Sequence, residues 1–175
     1  MVPSSPSVSR LGSFTSTQES KDIMGYSVRR TIEEDCGKLS TKVRPEDVQE
    51  LWSSHRSTPK ESLELGMKES GDFCFSLFLN EDIVGIFGVN RVDNKSGVVW
   101  LIGSSDITSS KSGFYKVSKK YLKMFRQEFD FLFNYIDDRN RKTSEWLEKL
   151  GFSFIHQELE FGVDKTPFNL FMIER

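Results

Sequence analysis

The run from Asn140 to Phe152 constrains this chain most: Asn-Arg-Lys-Thr-Ser-Glu-Trp-Leu-Glu-Lys-Leu-Gly-Phe. An Asn opens it in the manner of a helix cap, and a Gly-Phe pair stops it. Between them Trp146 and Leu150 fall four apart, on one helical face. Ahead of it stands Phe131-Leu-Phe-Asn-Tyr-Ile136, an apolar run of strand type. Behind it Phe152 starts another strand. A helix bracketed so closely by two strands belongs to a layered architecture of sheet and helices.

A chain of 175 residues is expected to form one domain with a substantial core. Its 37% hydrophobic and 29% charged residues are globular proportions, and a net charge of -2 selects no class of partner. The fifteen Phe concentrate in the later three quarters, which places the core there. Cys36 and Cys74 match neither a disulfide framework nor a ligand spacing, so a reducing compartment is expected. His55 and His156 stand far apart, so no His-based metal site is expected. There is no signal-peptide pattern, and no apolar run reaches the roughly 18 residues of a membrane span.

Residues 1–22 differ from the rest. They hold seven Ser, with Pro3 and Pro6, and only Val2, Val8, Leu11 and Phe14 as anchors. This composition reads as a flexible Ser/Pro-rich arm in front of a domain spanning 23–175. The sharper alternative is an arm that orders on a neighbouring protein chain through Leu11 and Phe14.

Regular patterning begins at Tyr26, where Tyr26–Ile32 alternates as a strand. Pro45, with Glu46 and Asp47 behind it, starts a helix through Val48, Leu51 and Trp52. Thr58-Pro-Lys-Glu61 is a capping-box start for a second helix that ends near Gly71. Strands follow at Phe73–Leu79, Ile83–Val89 and Val98–Ile102. A Ser/Gly-rich loop then leads into a long helix with Phe114, Val117, Tyr121, Met124 and Phe125 on its apolar face. After Phe131–Ile136 and the Asn140 helix come strands near 152–161 and 167–173. The hairpin at residues 73–89 is antiparallel. The strand–helix–strand unit at 98–136 requires a parallel pair with a crossover. The predicted fold class is therefore α/β (α+β), with a mixed, mostly antiparallel central sheet and helices on both faces.

This element order, closed by Asn140, Trp146, Lys149, Gly151 and Phe152, resembles the GNAT family of N-acetyltransferases, the acyl-CoA N-acyltransferase-like fold. Trp100 ahead of the loop, the Lys/Arg-rich helix after it and the Trp146–Phe152 ending are also similar to small acetyltransferase-like proteins of short-tailed bacteriophages. Some of those are internal virion proteins. The family resemblance implies acetyl-CoA as cofactor, with its pyrophosphate held by backbone N–H groups just before the long helix. The corresponding stretch is Thr108-Ser-Ser-Lys-Ser-Gly113, in which Gly113 matches the family's loop and Lys111 stands where a Gly is usual. Lys111, Ser112, Gly113 and Asn140 are the candidate cofactor contacts. The plain alternative is a Ser-rich loop with Ser110 or Ser112 capping the helix. Seven residues after the Asn, the family's acidic Tyr is replaced by Leu147, which carries no proton. No base is identifiable in the sequence.

Between Lys111 and Arg126 there are six cations and no acid, and Lys116, Lys119, Lys120 and Lys123 share one helical face. That face reads as solvated, as attracting the phosphates of coenzyme A, or as docking on an acidic partner. Beyond Tyr115 no aromatic residue interleaves this face, so sequence-specific nucleic-acid recognition is not expected. The sequence therefore supports a GNAT-like protein with a degenerate loop, binding acetyl-CoA weakly or not at all. It is expected to serve as a virion-associated assembly component among other protein chains, in the virion or host cytoplasm. The alternative is an active N-acetyltransferase acting on an amine.

Overall fold

The computed structural model describes residues 22–175. Leu11 and Phe14, the predicted arm anchors, lie outside the described residues. The elements run β1 (Tyr26–Arg30), α1 (Glu33–Ser40), α2 (Pro45–His55), α3 (Pro59–Ser70), β2 (Cys74–Leu79), β3 (Asp82–Arg91), β4 (Ser96–Gly103), α4 (Lys111–Glu128), β5 (Phe131–Asp137), α5 (Arg141–Leu150), β6 (Ser153–Phe161) and β7 (Thr166–Glu174). The seven strands form one sheet in the order β1-β2-β3-β4-β5-β7-β6. Every neighbouring pair is antiparallel except β4 and β5, which α4 connects as a crossover. The mixed, mostly antiparallel sheet with helices on both faces is as the sequence patterning predicts.

Two clusters of buried residues divide between the faces. On one face α4 and α5 lay Phe114, Val117, Tyr121, Phe125, Leu147 and Leu150 over Leu132, Ile136 and Phe171. On the other, Cys36, Leu39 and Leu63 from α1 and α3 cover Ile83, Ile86 and Ile102. The two cysteines are buried free thiols, and burial pushes both up to about 11, so they are inert packing groups. No helix among the described residues is long and apolar enough to cross a membrane.

Helix α3 starts as its sequence dictates: Thr58 accepts from the Glu61 N–H at 3.3 Å, and the Glu61 carboxylate accepts from the Thr58 N–H at 2.8 Å. Helix α1 was not predicted. It offers only Cys36 and Leu39 as buried apolar residues and carries Gly37 in its middle, too little periodicity to register. It is held instead by Asp35, buried beneath a two-pronged contact from Arg29 at 2.7 and 2.8 Å and a bond from the Ser76 hydroxyl at 2.8 Å.

Trp146 needs a correction. The four-residue spacing with Leu150 predicts both on the sheet, but the Trp146 ring stacks on Phe114 of α4, centroids 4.7 Å apart and 12° from parallel. Leu147 takes the inward place instead and is buried. Trp146 is half-buried between the two helices. Trp146→Ala is therefore expected to cost about 2 kcal/mol in a denaturant melt, below the roughly 3–5 kcal/mol of a fully buried ring. A cost near 5 kcal/mol would place the ring in the core after all.

Candidate functional site

The parallel pair is short. β4 and β5 are in register only from Ser96–Val98 to Phe131–Phe133, yet β4 runs on to Gly103 and β5 to Asp137. Past Val98 the two strands splay apart and leave a V-shaped gap in the middle of the sheet. The Gly103 N–H points into that gap and donates to Asp47 Oδ2 at 2.9 Å. Strand alternation turns the N–H of Leu101, two residues earlier, to the same side.

Helix α2 braces the gap from one face. At its start the Arg44 N–H donates to the Gly103 carbonyl at 2.9 Å, and Arg44 Nε donates to Asp47 Oδ2 at 2.9 Å. Both residues therefore grip the end of β4. One turn on, Glu50 Oε2 accepts from the Asp137 N–H at 3.3 Å and from Asn140 Nδ2 at 3.1 Å, gripping the end of β5. Arg139 adds a bond to the Ser53 hydroxyl at 3.0 Å. Asp47 and Glu50, three residues apart, share one face of the helix, and Arg44 reaches the same opening from its N-cap.

Burial sets the charge states here. It pushes Asp47 up, against the pull of the Arg44 guanidinium. It pushes the Glu50 carboxyl up to about 7, with the Asn140 hydrogen bond drawing the other way. Burial also opposes the charge of Asp137, but the hydrogen bonds from Arg139 outweigh it and hold Asp137 below the usual range. One carboxyl poised near neutrality thus sits in the gap, between one carboxylate paired with Arg44 and another paired with Arg139.

The gap opens into a cavity on each face of the sheet. On the α4/α5 side a cavity of about 300 Å³ is walled by residues such as Phe87, Val99, Tyr121, Leu147 and Phe152. On the α2/α3 side a second, of about 420 Å³, has Trp100, Phe133, Tyr135, Phe161 and Phe168 among its lining residues. Glu50, Trp100, Leu101 and Asn134 line both cavities and mark where they meet.

Of the predicted cofactor residues, Lys111, Ser112 and Gly113 form the first turn of α4, and Asn140 stands at the start of α5. Ser110 caps α4, its hydroxyl accepting from the Gly113 N–H at 3.3 Å. The Ser110 N–H donates to the Tyr26 hydroxyl at 3.2 Å, which itself donates to the Ile107 carbonyl at 2.9 Å. Gly113 lies against the Tyr26 ring, where a Cβ would come within 2.9 Å. Its lack of a side chain is thus explained by packing. Among the described residues, the N–H groups of Lys111 and Ser112 remain without a protein partner. Asn140 caps α5, accepting from the Thr143 N–H at 3.3 Å, and uses its amide nitrogen to hold Glu50.

Lys111, Lys116, Lys119, Lys120 and Lys123 are all exposed, and among the described residues none of them is in an ion pair. Sequence reasoning missed Glu50. In the sequence it is one acid among several on a helix that opens with Glu46 and Asp47. Only the strand-splaying geometry reveals that it points inward.

Solved structures share this architecture. Ribosomal-protein-S5-alanine acetyltransferase from Vibrio fischeri superposes with a TM-score of 0.65 at 18% identity, covering 90% of this chain and 97% of that one. Ard1 from Thermoplasma volcanium gives 0.66 at 10% identity, covering 86% and 97%. The microcin C7 self-immunity acetyltransferase MccE, solved with acetyl-CoA and AMP, gives 0.66 at 11% identity, covering 86% and 93%. No family model and no curated protein sequence matches the chain. At these identities the likeness establishes the fold: this chain has the GNAT fold.

Two predictions test the site's physics. Glu50 carries a folded-state value of about 7 against an ordinary 4.5, so between those values the folded chain holds more protons than the unfolded one. Its contribution to stability therefore falls as pH rises through that window. Glu50→Gln keeps the acceptor oxygen but does not ionise, so its melting temperature should gain on the parent between about pH 5 and pH 8. An unchanged difference across that range would show that the carboxyl is not desolvated. Separately, Gly113→Ala should lower stability by about 1–3 kcal/mol, because the Tyr26 ring fills the space the methyl needs. A neutral substitution would remove the packing explanation for this glycine.

Proposed function

We propose that this protein is a CoA-thioester-dependent N-acyltransferase in which Glu50 accepts the proton of an incoming amine. One observation carries the proposal. A carboxyl raised to about 7 stands in the splay of the sheet, where the cavities of the two faces meet. A base with a value near the working pH is what proton removal from an amine requires. The acetyltransferase structures that share this fold, among them one solved with acetyl-CoA and one with coenzyme A, support the choice of thioester.

The residues fit the two ends of such a molecule unequally. The gap between β4 and β5, with the Leu101 N–H turned into it and apolar walls behind, suits the acyl and pantetheine portion. The α4 terminus suits the pyrophosphate poorly, since the Gly113 N–H is taken by Ser110 and the Ser110 N–H by Tyr26. There Lys111, with its own N–H and that of Ser112, is what remains for an anion. The exposed lysines of α4 add only a general attraction. When bound, the thioester supplies an activated acyl carbon: the nitrogen–carbon bond forms as the carbon–sulfur bond breaks. Glu50 takes the amine proton, held in place by Asn140 and the Asp137 N–H. Leu147 offers no proton, so the departing thiolate takes one from water.

A virion-associated assembly role draws on Leu11, Phe14 and the phage resemblance. No feature of the described residues favours it over the site in the splay, and the basic face of α4 is the docking surface that the sequence offers it.

Acetyl-CoA is expected to bind with a dissociation constant above roughly 100 μM, weaker than about 5.5 kcal/mol, by calorimetric titration. Turnover on a panel of primary amines should rise with pH to a plateau above about 7, the value to which Glu50 is pushed. Glu50→Gln should lower kcat/KM by about 10²–10⁴-fold and remove that rise. Full activity in the variant, or no turnover on any amine, would reject the reading.

A further inference from the structure

The larger cavity, on the α2/α3 face, has a composition that selects its occupant. Its walls carry Trp100, Phe133, Tyr135, Phe161 and Phe168, its carboxyl groups are Glu50 and Glu69, His55 is its one imidazole, and no Lys or Arg lines it. One wall is a continuous aromatic surface from β5 and the β6–β7 hairpin. Tyr135 stacks on Phe161 with centroids 4.7 Å apart, and Phe161 lies on Phe168 at 4.5 Å.

The opposite wall is the Trp100 indole of β4, and its position is fixed. Its nitrogen donates to the Ser70 hydroxyl at 2.9 Å and to Asn90 Oδ1 at 3.0 Å. Its ring lies flat on α3 at Gly66, where a Cβ would come within 2.7 Å. Trp100 and Tyr135 follow Val98 and Phe133, the last residues of β4 and β5 in register, so they flank the widening gap.

The outer end of the cavity is braced. The turn between β6 and β7 docks on the end of α2, with the Val163 N–H donating to the Ser54 carbonyl at 3.2 Å and the Asp164 N–H to the Ser53 carbonyl at 3.1 Å. Arg56 pairs with Asp164 there. Phe161 enters the cavity from that docked hairpin, so the aromatic wall is held rather than mobile.

We infer that this cavity is the acceptor site, and that it takes a small monocationic amine carried on a flat apolar body, of the arylalkylamine kind. The inference rests on the acyltransferase reading for its chemistry, though binding itself does not require turnover. The indole on one side and the Tyr135–Phe161 wall on the other offer aromatic faces to a flat ring, and such faces also favour a cation. The ammonium reaches the Glu50 carboxylate at the inner end, where it faces the thioester side. An acidic acceptor meets two carboxylates and no Lys or Arg. A polycation finds Glu69 as the one further carboxylate, already accepting from Asn90 at 2.8 Å, and leaves a third charge without a carboxylate partner.

Calorimetric titration of the full chain without any thioester tests the inference, with phenethylamine, phenethyl alcohol and spermidine as probes. Phenethylamine should bind at least about tenfold more tightly than either of the others. Glu50→Gln should shrink the preference for the amine over the alcohol, and Tyr135→Ala should weaken both aromatic probes without altering that preference. The comparison of probes on the unmodified chain stands even if Tyr135→Ala fails to fold. Equal binding of amine and alcohol, tighter binding of spermidine, or no binding of phenethylamine would overturn the inference. If other amines are nevertheless acylated, the acyltransferase reading survives that failure. Selective binding of phenethylamine with no acylation of any amine would do the reverse, leaving an amine site without the transferase.

Discussion

The gap between β4 and β5 is the constraint on which the rest of this structure depends. Two parallel strands in register gain by continuing to pair, because unpaired backbone groups buried in a sheet are costly. Here pairing stops at Val98 and Phe133. What makes this tolerable is α2. Arg44 and Asp47 supply partners for the carbonyl and N–H of Gly103, and Glu50 supplies one for the N–H of Asp137. One helical face thus satisfies both ends of the opening. The same side chains that hold the sheet open also place a carboxyl at its centre, so the architecture and the candidate chemistry share one set of residues.

The α4 terminus shows the opposite outcome, where packing has claimed groups that a ligand would use. Tyr26, fully buried on the edge strand, takes the Ser110 N–H and fills the space beside Gly113. A glycine whose only visible match is to a phosphate loop is here required by an aromatic ring. Lys111 stands at the positive end of the helix with no acid in the first turn, an arrangement that costs some helix stability. The terminus therefore attracts anions while offering them few backbone donors, and charge rather than geometry would hold a phosphate there.

Much of the fold was legible because its signals are local. The Thr58–Glu61 capping box, the Asn140 cap with its Gly151 stop, and the crossover from β4 through α4 to β5 all appear as predicted. Three things were not legible, each for a physical reason. Helix α1 is held by the long-range contacts of Asp35 with Arg29 and Ser76, not by its own periodicity. Trp146 and Leu147 exchange expected roles, because neighbouring helix positions differ by about 100° and the partner is α4 rather than the sheet alone. Glu50 is indistinguishable in sequence from a solvated helix acid until the splay is known.

For the proposed transfer, Leu147 in place of the acidic Tyr that the GNAT resemblance implies weighs little against catalysis, because the two proton transfers are not equal. An alkylammonium with a value near that of lysine, about 10.4, is almost wholly protonated at pH 7, and freeing its lone pair costs about 4–5 kcal/mol. A thiolate whose conjugate acid has a value near 8.5 is a stable leaving group, and its protonation by solvent is downhill by about 2 kcal/mol at the same pH. A base therefore contributes more than an acid to this reaction. Leu147 instead goes to the core beneath α5, where it is buried with Leu150 against Ile136 and Phe171. In the proposed reaction Glu50 would address the larger barrier, while Leu147 packs the helix that carries Asn140, the residue hydrogen-bonded to Glu50.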